Sequence, residues 1–142
     1  MPTRKAEAEW EGNLAEGQGQ LKVGSGAFEG PYSFKSRFEE GEAATNPEEL
    51  LGAAHAGCFT MAMTAAMSRA GIKPKRIHTE ARVKLEKVGE AFTITQIELE
   101  TEAEIPDIDD AAFQQYAQGA KENCPLSKAL ASTPISMTAK LV

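Results

Sequence analysis

Thr45-Asn46-Pro47-Glu48-Glu49-Leu50-Leu51-Gly52-Ala53-Ala54-His55-Ala56-Gly57-Cys58-Phe59 is the stretch on which the reading of this chain turns. It opens as a helix start. Asn46 is a good N-cap, and Pro47 then falls at N1, where its missing N–H costs nothing. A residue before proline avoids the α region, which also suits Asn46 as the cap. Glu49 is then N3, placed to reach back in a capping box; Thr45 as cap with Glu48 at N3 is the competing register. The helix is expected to run to about Ala70, with Gly71 ending it as a C′ residue.

From Leu50 to Ser68 this helix carries no charge. Its length suits a membrane crossing, but its composition does not: Ala, Gly, Thr, Ser and His55 dilute two Leu and one Phe. A helix apolar on every side in a soluble chain is a buried helix. One chain of 142 residues is too small to cover it, so the sequence points to a homodimer whose core includes this helix.

Working outward, the first forty or so residues read as β with turns. Lys5 to Trp10 alternates polar and apolar, Gln18 to Val23 is a second strand, and Ala27-Phe28-Glu29 is a short third before Gly30-Pro31. Tyr32 to Phe38 reads as a loop or short strand carrying Arg37. Downstream, Ile77 to Val88 and Ala91 to Glu104 alternate around Gly89-Glu90, a clear hairpin. Asp109 caps a helix from Asp110 to Glu122 with Ala112, Phe113, Tyr116 and Ala120 on one face. A short helix follows from Pro125 to about Leu130, and Pro134 to Val142 forms the last strand. The order predicts an α+β fold: one domain over 1–142, an antiparallel-rich sheet, helices on one side, and a long buried central helix.

A formal net charge of −6 and thinly spread Lys and Arg argue against a nucleic-acid partner. The N-terminus lacks the apolar stretch of a secretory signal, and two cysteines do not make a disulfide scaffold. The expectation is a cytoplasmic protein with no membrane partner.

The two thiols are a redox pair or two inert core residues. Cys58 lies about three turns into the first long helix, too far from its start for the helix dipole to act on it. A buried thiol there has a raised pKa and is inert unless a cation is brought to it; Arg37 is a candidate. Glu48 lies ten residues before Cys58, roughly 80° away round the helix, whereas Glu49 lies roughly 180° away. Glu48 is therefore the carboxylate suited to orient Arg37, at an axial distance of about 15 Å that an arginine would have to span. Cys124 in Asn123-Cys124-Pro125-Leu126-Ser127 is different. Pro125 at N1 makes it the N-cap of the short helix, a setting that favours exchange chemistry.

His55 is placed at the edge of the core and His78 on the surface. A zinc site from His55, Cys58, Cys124 and His78 lacks the short-spaced ligand pairs such sites use, so neither metal nor cofactor is expected. Met61, Met63 and Met67 read as core packing, or as an apolar wall for a ligand.

The segment Thr45 to Phe59 closely resembles the signature of the OsmC/Ohr family. Asn123-Cys124-Pro125-Leu126-Ser127 resembles its second cysteine motif, and Ser36-Arg37-Phe38-Glu39 the arginine segment of the OsmC branch. Trp10-Glu11-Gly12 and the C-terminal strand fit as well. The resemblance implies an intertwined homodimer with active sites at the subunit interface. It also implies a thiol-dependent peroxidase that acts on organic hydroperoxides and less well on hydrogen peroxide. Carried over, Cys58 is the peroxidatic thiolate, Cys124 the resolving thiol, Arg37 the residue that stabilises the thiolate, and Glu48 the residue that orients Arg37. The reductant implied is a dithiol such as a lipoyl group. Two other classes stay open: a thiol-based sensor or binding protein, and a dimer with inert thiols.

Overall fold

The computed structural model describes residues 2–142. They form two compact units, one ending at Leu50 and the other running from Leu51 to Val142. The boundary falls in the first turn of the long helix.

In the first unit, β1 (Ala6–Glu11), β2 (Gln18–Val23) and β3 (Glu29–Tyr32) form an antiparallel three-stranded sheet in that order. Trp10 on β1 meets Tyr32 on β3 edge to face, with ring centroids 5.4 Å apart. Gly19 on β2 lies between them. A Cβ there would sit 2.3 Å from the Tyr32 ring and 2.6 Å from the Trp10 ring, so the aromatic contact needs a glycine at this position.

The loop or strand expected over Tyr32 to Phe38 is instead a strand end followed by a helical turn, α1 (Phe34–Phe38). The reason is a capping box that the apolar pattern hid. Ser33 accepts from the Ser36 N–H, and the Ser36 hydroxyl faces the Ser33 N–H in return.

The long helix α2 (Pro47–Arg69) starts where the sequence places it. The Asn46 side chain accepts from the Glu49 N–H at 2.7 Å. The Glu49 carboxylate, however, takes the Thr45 hydroxyl at 3.1 Å rather than reaching back to the Asn46 N–H. The helix ends in a Schellman motif: Ile72 N–H donates to Met67 O, Gly71 N–H to Ser68 O, and Gly71 has φ +75°.

The second unit is built on the hairpin β4 (Arg76–Val88) and β5 (Ala91–Glu104), with β6 (Ile135–Leu141) along the far edge of β5. The expected single sheet is thus two separate three-stranded sheets, and β6 pairs with β5 in parallel. Parallel neighbours need a crossover, and α3 (Asp110–Asn123) and α4 (Pro125–Ala129) supply it. Asp109 caps α3 by accepting from the Ala112 N–H. The buried face of α3 is Phe113, Ala117 and Ala120, with Ala112 and Tyr116 half-buried beside it.

One apolar core fills the second unit. Phe59, Met63 and Met67 from α2 meet Ile97, Leu99 and Ala103 from β5, Phe113, Ala117 and Ala120 from α3, and Cys124. Within this unit α2 buries Gly52, His55, Phe59, Met63 and Met67, an i, i+3/i+4 stripe. Gly52 is part of it because a Cβ there would already touch the Ala81 carbonyl and the Val83 side chain on β4 at 3.5 Å. A hydroxyl chain ties helix to sheet: Thr60 Oγ1 donates to Thr79 Oγ1 (2.7 Å), Thr79 pairs with Thr101 (3.0 Å), and Thr101 donates to His78 O. The opposite face of α2, with Ala53, Ala54, Gly57, Met61 and Ala65, is exposed, Met61 to 75%. A single chain therefore covers one stripe of this helix and leaves an uncharged face bare. The methionine group divides accordingly, Met63 and Met67 into the core and Met61 to the surface.

Candidate active site

The first unit assembles an arginine and a carboxylate. Arg37 lies on the single-turn helix α1, which is held beside the start of α2 by a set of short-range bonds. The buried Ser36 hydroxyl donates to Thr45 O at 2.7 Å, Asn46 Nδ2 donates to Ser36 O at 3.0 Å, and Thr45 N–H donates to Pro31 O. In this frame Arg37 Nε donates to Glu48 Oε1 at 2.8 Å. The Arg37 guanidinium also sits over the Phe38 ring, 5.5 Å from its centroid. Glu48 is buried, and its second oxygen, Oε2, has no partner among the described residues. Glu49 instead takes the Thr45 hydroxyl.

The second unit brings the two thiols together. Cys58 is half-buried on α2, and Cys124 is fully buried at the junction of α3 and α4. As expected from Pro125, Cys124 is the N-cap of α4, its sulfur accepting from the Ser127 N–H at 3.3 Å. Cys58 packs against the core cluster that contains Cys124. Burial pushes the Cys58 thiol up from its ordinary value, a hydrogen bond with the Leu126 backbone opposes that, and Cys124 adds to the rise by hydrogen bond and by charge. Both thiols are free.

His55 is where the sequence reading misses. The sequence places it at the core edge; it is fully buried, with Nε2 2.9 Å from Ser127 Oγ. Desolvation lowers its pKa from the ordinary imidazole value of 6.5, so the ring is neutral at neutral pH. Ser127 Oγ is in turn 3.0 Å from Cys124 Sγ. The signal for this was present in the chain: His55 falls on the buried stripe with Gly52 and Phe59, and Ser127 is the N3 residue of a helix capped by a thiol. His78 is exposed on β4, as expected. Among the described residues, no three His, Cys, Asp or Glu side chains are grouped to hold a metal ion.

The arrangement can do thiol chemistry. Two free thiols from distant segments share one core, Cys58 half-buried against it and Cys124 fully buried within it. A buried carboxylate holds an arginine whose Nη groups make no hydrogen bond or ion pair among the described residues.

Comparison with known proteins identifies the family. The sequence model of the family described as OsmC-like protein matches residues 39–140. The chain is 46% identical to peroxiredoxin OsmC of Escherichia coli (strain K12) over 128 residues, 89% of each chain. It is 31% identical over 90 residues to an organic hydroperoxide resistance protein of Xanthomonas axonopodis pv. citri, covering 63% of this chain and 61% of the other. Among solved structures, an OsmC-like protein of Vibrio cholerae superposes with a TM-score of 0.79 at 15% identity, over 98% of this chain and 99% of that one, a likeness of fold. On the family match and the extent of identity, this chain belongs to the OsmC-like protein family.

Proposed function

We propose that this protein is a thiol-dependent peroxidase that reduces organic hydroperoxides to alcohols, with hydrogen peroxide a poorer substrate. Family membership and the names of its relatives, a peroxiredoxin and an organic hydroperoxide resistance protein, support the peroxidase class. The observation that carries the mechanism is that half-buried Cys58 packs against the core that holds the fully buried Cys124. An exposed-edge thiol backed by a buried one is the arrangement that oxidation followed by disulfide closure requires.

The Cys58 thiolate attacks the distal oxygen of the hydroperoxide, the O–O bond breaks, and the alkoxide leaves as an alcohol after taking up a proton. Cys58 becomes a sulfenic acid. Cys124 then attacks the Cys58 sulfur, the S–O bond breaks, water leaves, and an intramolecular disulfide remains. A dithiol of the lipoyl type supplies two electrons and two protons to restore both thiols.

Burial alone works against the Cys58 thiolate, so the reaction needs a cation. Arg37 is assigned that role, and Glu48 orients it. Support comes from the 2.8 Å pairing and from the uncompensated Glu48 Oε2, a buried charge that favours keeping a guanidinium at hand.

The working unit is a homodimer in the cytoplasm. The bare, uncharged face of α2 supports it, since apolar helix surface is stable when another chain covers it. The helix is long and apolar enough to cross a membrane by length and composition, but its buried stripe is packed in the core of the second unit. The family match runs across the boundary at Leu50, which supports reading 1–142 as one domain.

The test is a thiol count on the reduced protein before and after one equivalent of an alkyl hydroperoxide, with Cys58→Ser and Cys124→Ser alongside. Rapid loss of both thiols without a disulfide-linked dimer on non-reducing gels is the expected result. Two unreacted thiols would overturn the proposal.

A further inference from the structure

We propose that Ser127 and His55 form a relay that moves the proton of Cys124 as this thiol closes and reopens the disulfide; this rests on the reading of Cys124 as the resolving thiol.

Cys124 is fully buried, His55 is fully buried and Ser127 is 6% exposed, so no bulk water stands beside the Cys124 sulfur to take its proton. Ser127 meets that sulfur twice. Its backbone N–H donates at 3.3 Å, and its Oγ lies at 3.0 Å. The backbone contact is ordinary capping and would survive with any residue at this position. The hydroxyl contact would not, and it continues to His55 Nε2 at 2.9 Å.

Packing does not explain the imidazole. Its Nδ1 is buried without a hydrogen-bond partner among the described residues, a loss of about 1–3 kcal/mol for a buried polar atom. An apolar side chain would avoid it. What the ring offers is a nitrogen that is acceptor in one tautomer and donor in the other. With Nε2 unprotonated, the chain runs from Cys124 S–H to Ser127 Oγ and from Ser127 O–H to His55. With Nε2 protonated, it runs back, and Ser127 presents both its O–H and its N–H to the sulfur.

During resolution, the Cys124 sulfur attacks the Cys58 sulfur and the S–O bond breaks. The Cys124 proton moves to Ser127 Oγ as the Ser127 proton moves to His55 Nε2, and the hydroxide leaving half-buried Cys58 takes a proton from solvent to give water. Burial disfavours the imidazolium, so the ring is poised to return this proton through Ser127 once Cys124 is released. During reduction, a dithiol attacks, the S–S bond breaks, and Cys124 leaves as a thiolate that regains a proton along the reverse path. The dithiol contributes both electrons and both protons. Ser127 touches the reacting sulfur, whereas His55 is a positioning residue acting through it.

The test is rapid mixing with one equivalent of alkyl hydroperoxide, following Cys58 oxidation and disulfide formation separately, with dimedone to trap the sulfenic acid. Ser127→Ala and His55→Leu should oxidise at Cys58 at the normal rate and close the disulfide on the order of a hundredfold more slowly, leaving dimedone-labelled Cys58. Ser127→Thr, which keeps the hydroxyl, should recover most of the loss, whereas His55→Gln, which keeps a hydrogen-bonding group but cannot take up a proton, should stay slow; recovery in His55→Gln would overturn the proton transfer. Urea midpoints identify any variant that fails to fold. Disulfide closure at the normal rate in both Ser127→Ala and His55→Leu overturns the relay. So does an equal slowing in all four folded variants, because that marks a structural role. If the unsubstituted protein oxidises at Cys58 yet forms no disulfide, the reading of Cys124 as resolver fails, and the relay fails with it.

Discussion

Arg37 Nε donates to Glu48 Oε1 at 2.8 Å, joining a single-turn helix to the first turn of the longest helix in the chain. The carboxylate is buried while the arginine side chain is 39% exposed, so Glu48 is the fixed partner and Arg37 the adjustable one. A carboxylate fixed this way sets the plane and direction of the guanidinium through a charge-assisted bond.

Arg37→Ala is therefore expected to slow oxidation of Cys58 by about a hundredfold, the usual cost of losing a preorganised charge-stabilising donor. It should also shift the pH profile of Cys58 alkylation to higher pH. Glu48→Gln keeps the shape but weakens the bond, and about tenfold is expected from the difference between charged and neutral hydrogen bonds. Stopped-flow oxidation and an alkylation profile measure both. An unchanged profile in Arg37→Ala would remove the arginine from the mechanism.

Cys124→Ser should leave the first oxidation intact and stop turnover. The Cys58 sulfenic acid then persists and is open to dimedone or to over-oxidation. Steady-state consumption of an alkyl hydroperoxide with a dithiol, beside a single-turnover measurement, separates the two steps. Sustained turnover in this variant would mean that the reductant attacks the sulfenic acid directly and that Cys124 is dispensable.

Acid should destabilise the protein through His55. The folded-state pKa of this buried ring lies below the ordinary 6.5, so below pH 6.5 the unfolded chain binds a proton that the folded chain does not. Stability then rises with pH through this window and falls on acidification. Urea midpoints at pH 7 and pH 5 should drop for the native sequence and drop less for His55→Gln. Equal drops in the two would place the acid sensitivity elsewhere.

Much of this was legible in the chain because local rules and tertiary packing agreed. Asn46-Pro47 started α2, Gly71 stopped it, and the alternation around Gly89-Glu90 gave the long hairpin within a residue at its ends. Pro125 placed Cys124 at a cap. The misses have physical causes. The short α1 rests on a serine capping box and on bonds to Thr45 and Asn46, which no periodicity reports. The parallel pairing of β6 depends on where the α3–α4 crossover returns the chain, a tertiary fact. His55 was undervalued because a polar residue in an apolar helix reads as a boundary, whereas its partner Ser127 comes from a remote segment.

The neighbouring methionines of α2 give the sharpest test of the bare helix face. Met61 and Met63 are two residues apart, yet Met61 is 75% exposed and Met63 is fully buried. Met63→Ala should lower unfolding stability by about 2–5 kcal/mol, as for other buried methionines. Met61→Ala should have a small effect on a single chain. Met61→Glu is different. In a lone chain its carboxylate would sit in water at little cost, but in a covered interface an unpaired charge is strongly unfavourable. Sedimentation of the native sequence should give a dimer and of Met61→Glu a monomer with an unaltered circular dichroism spectrum. A native chain that sediments as a monomer at high concentration would refute the dimer. A Met61→Glu variant that stays dimeric would move the interface off this face of α2.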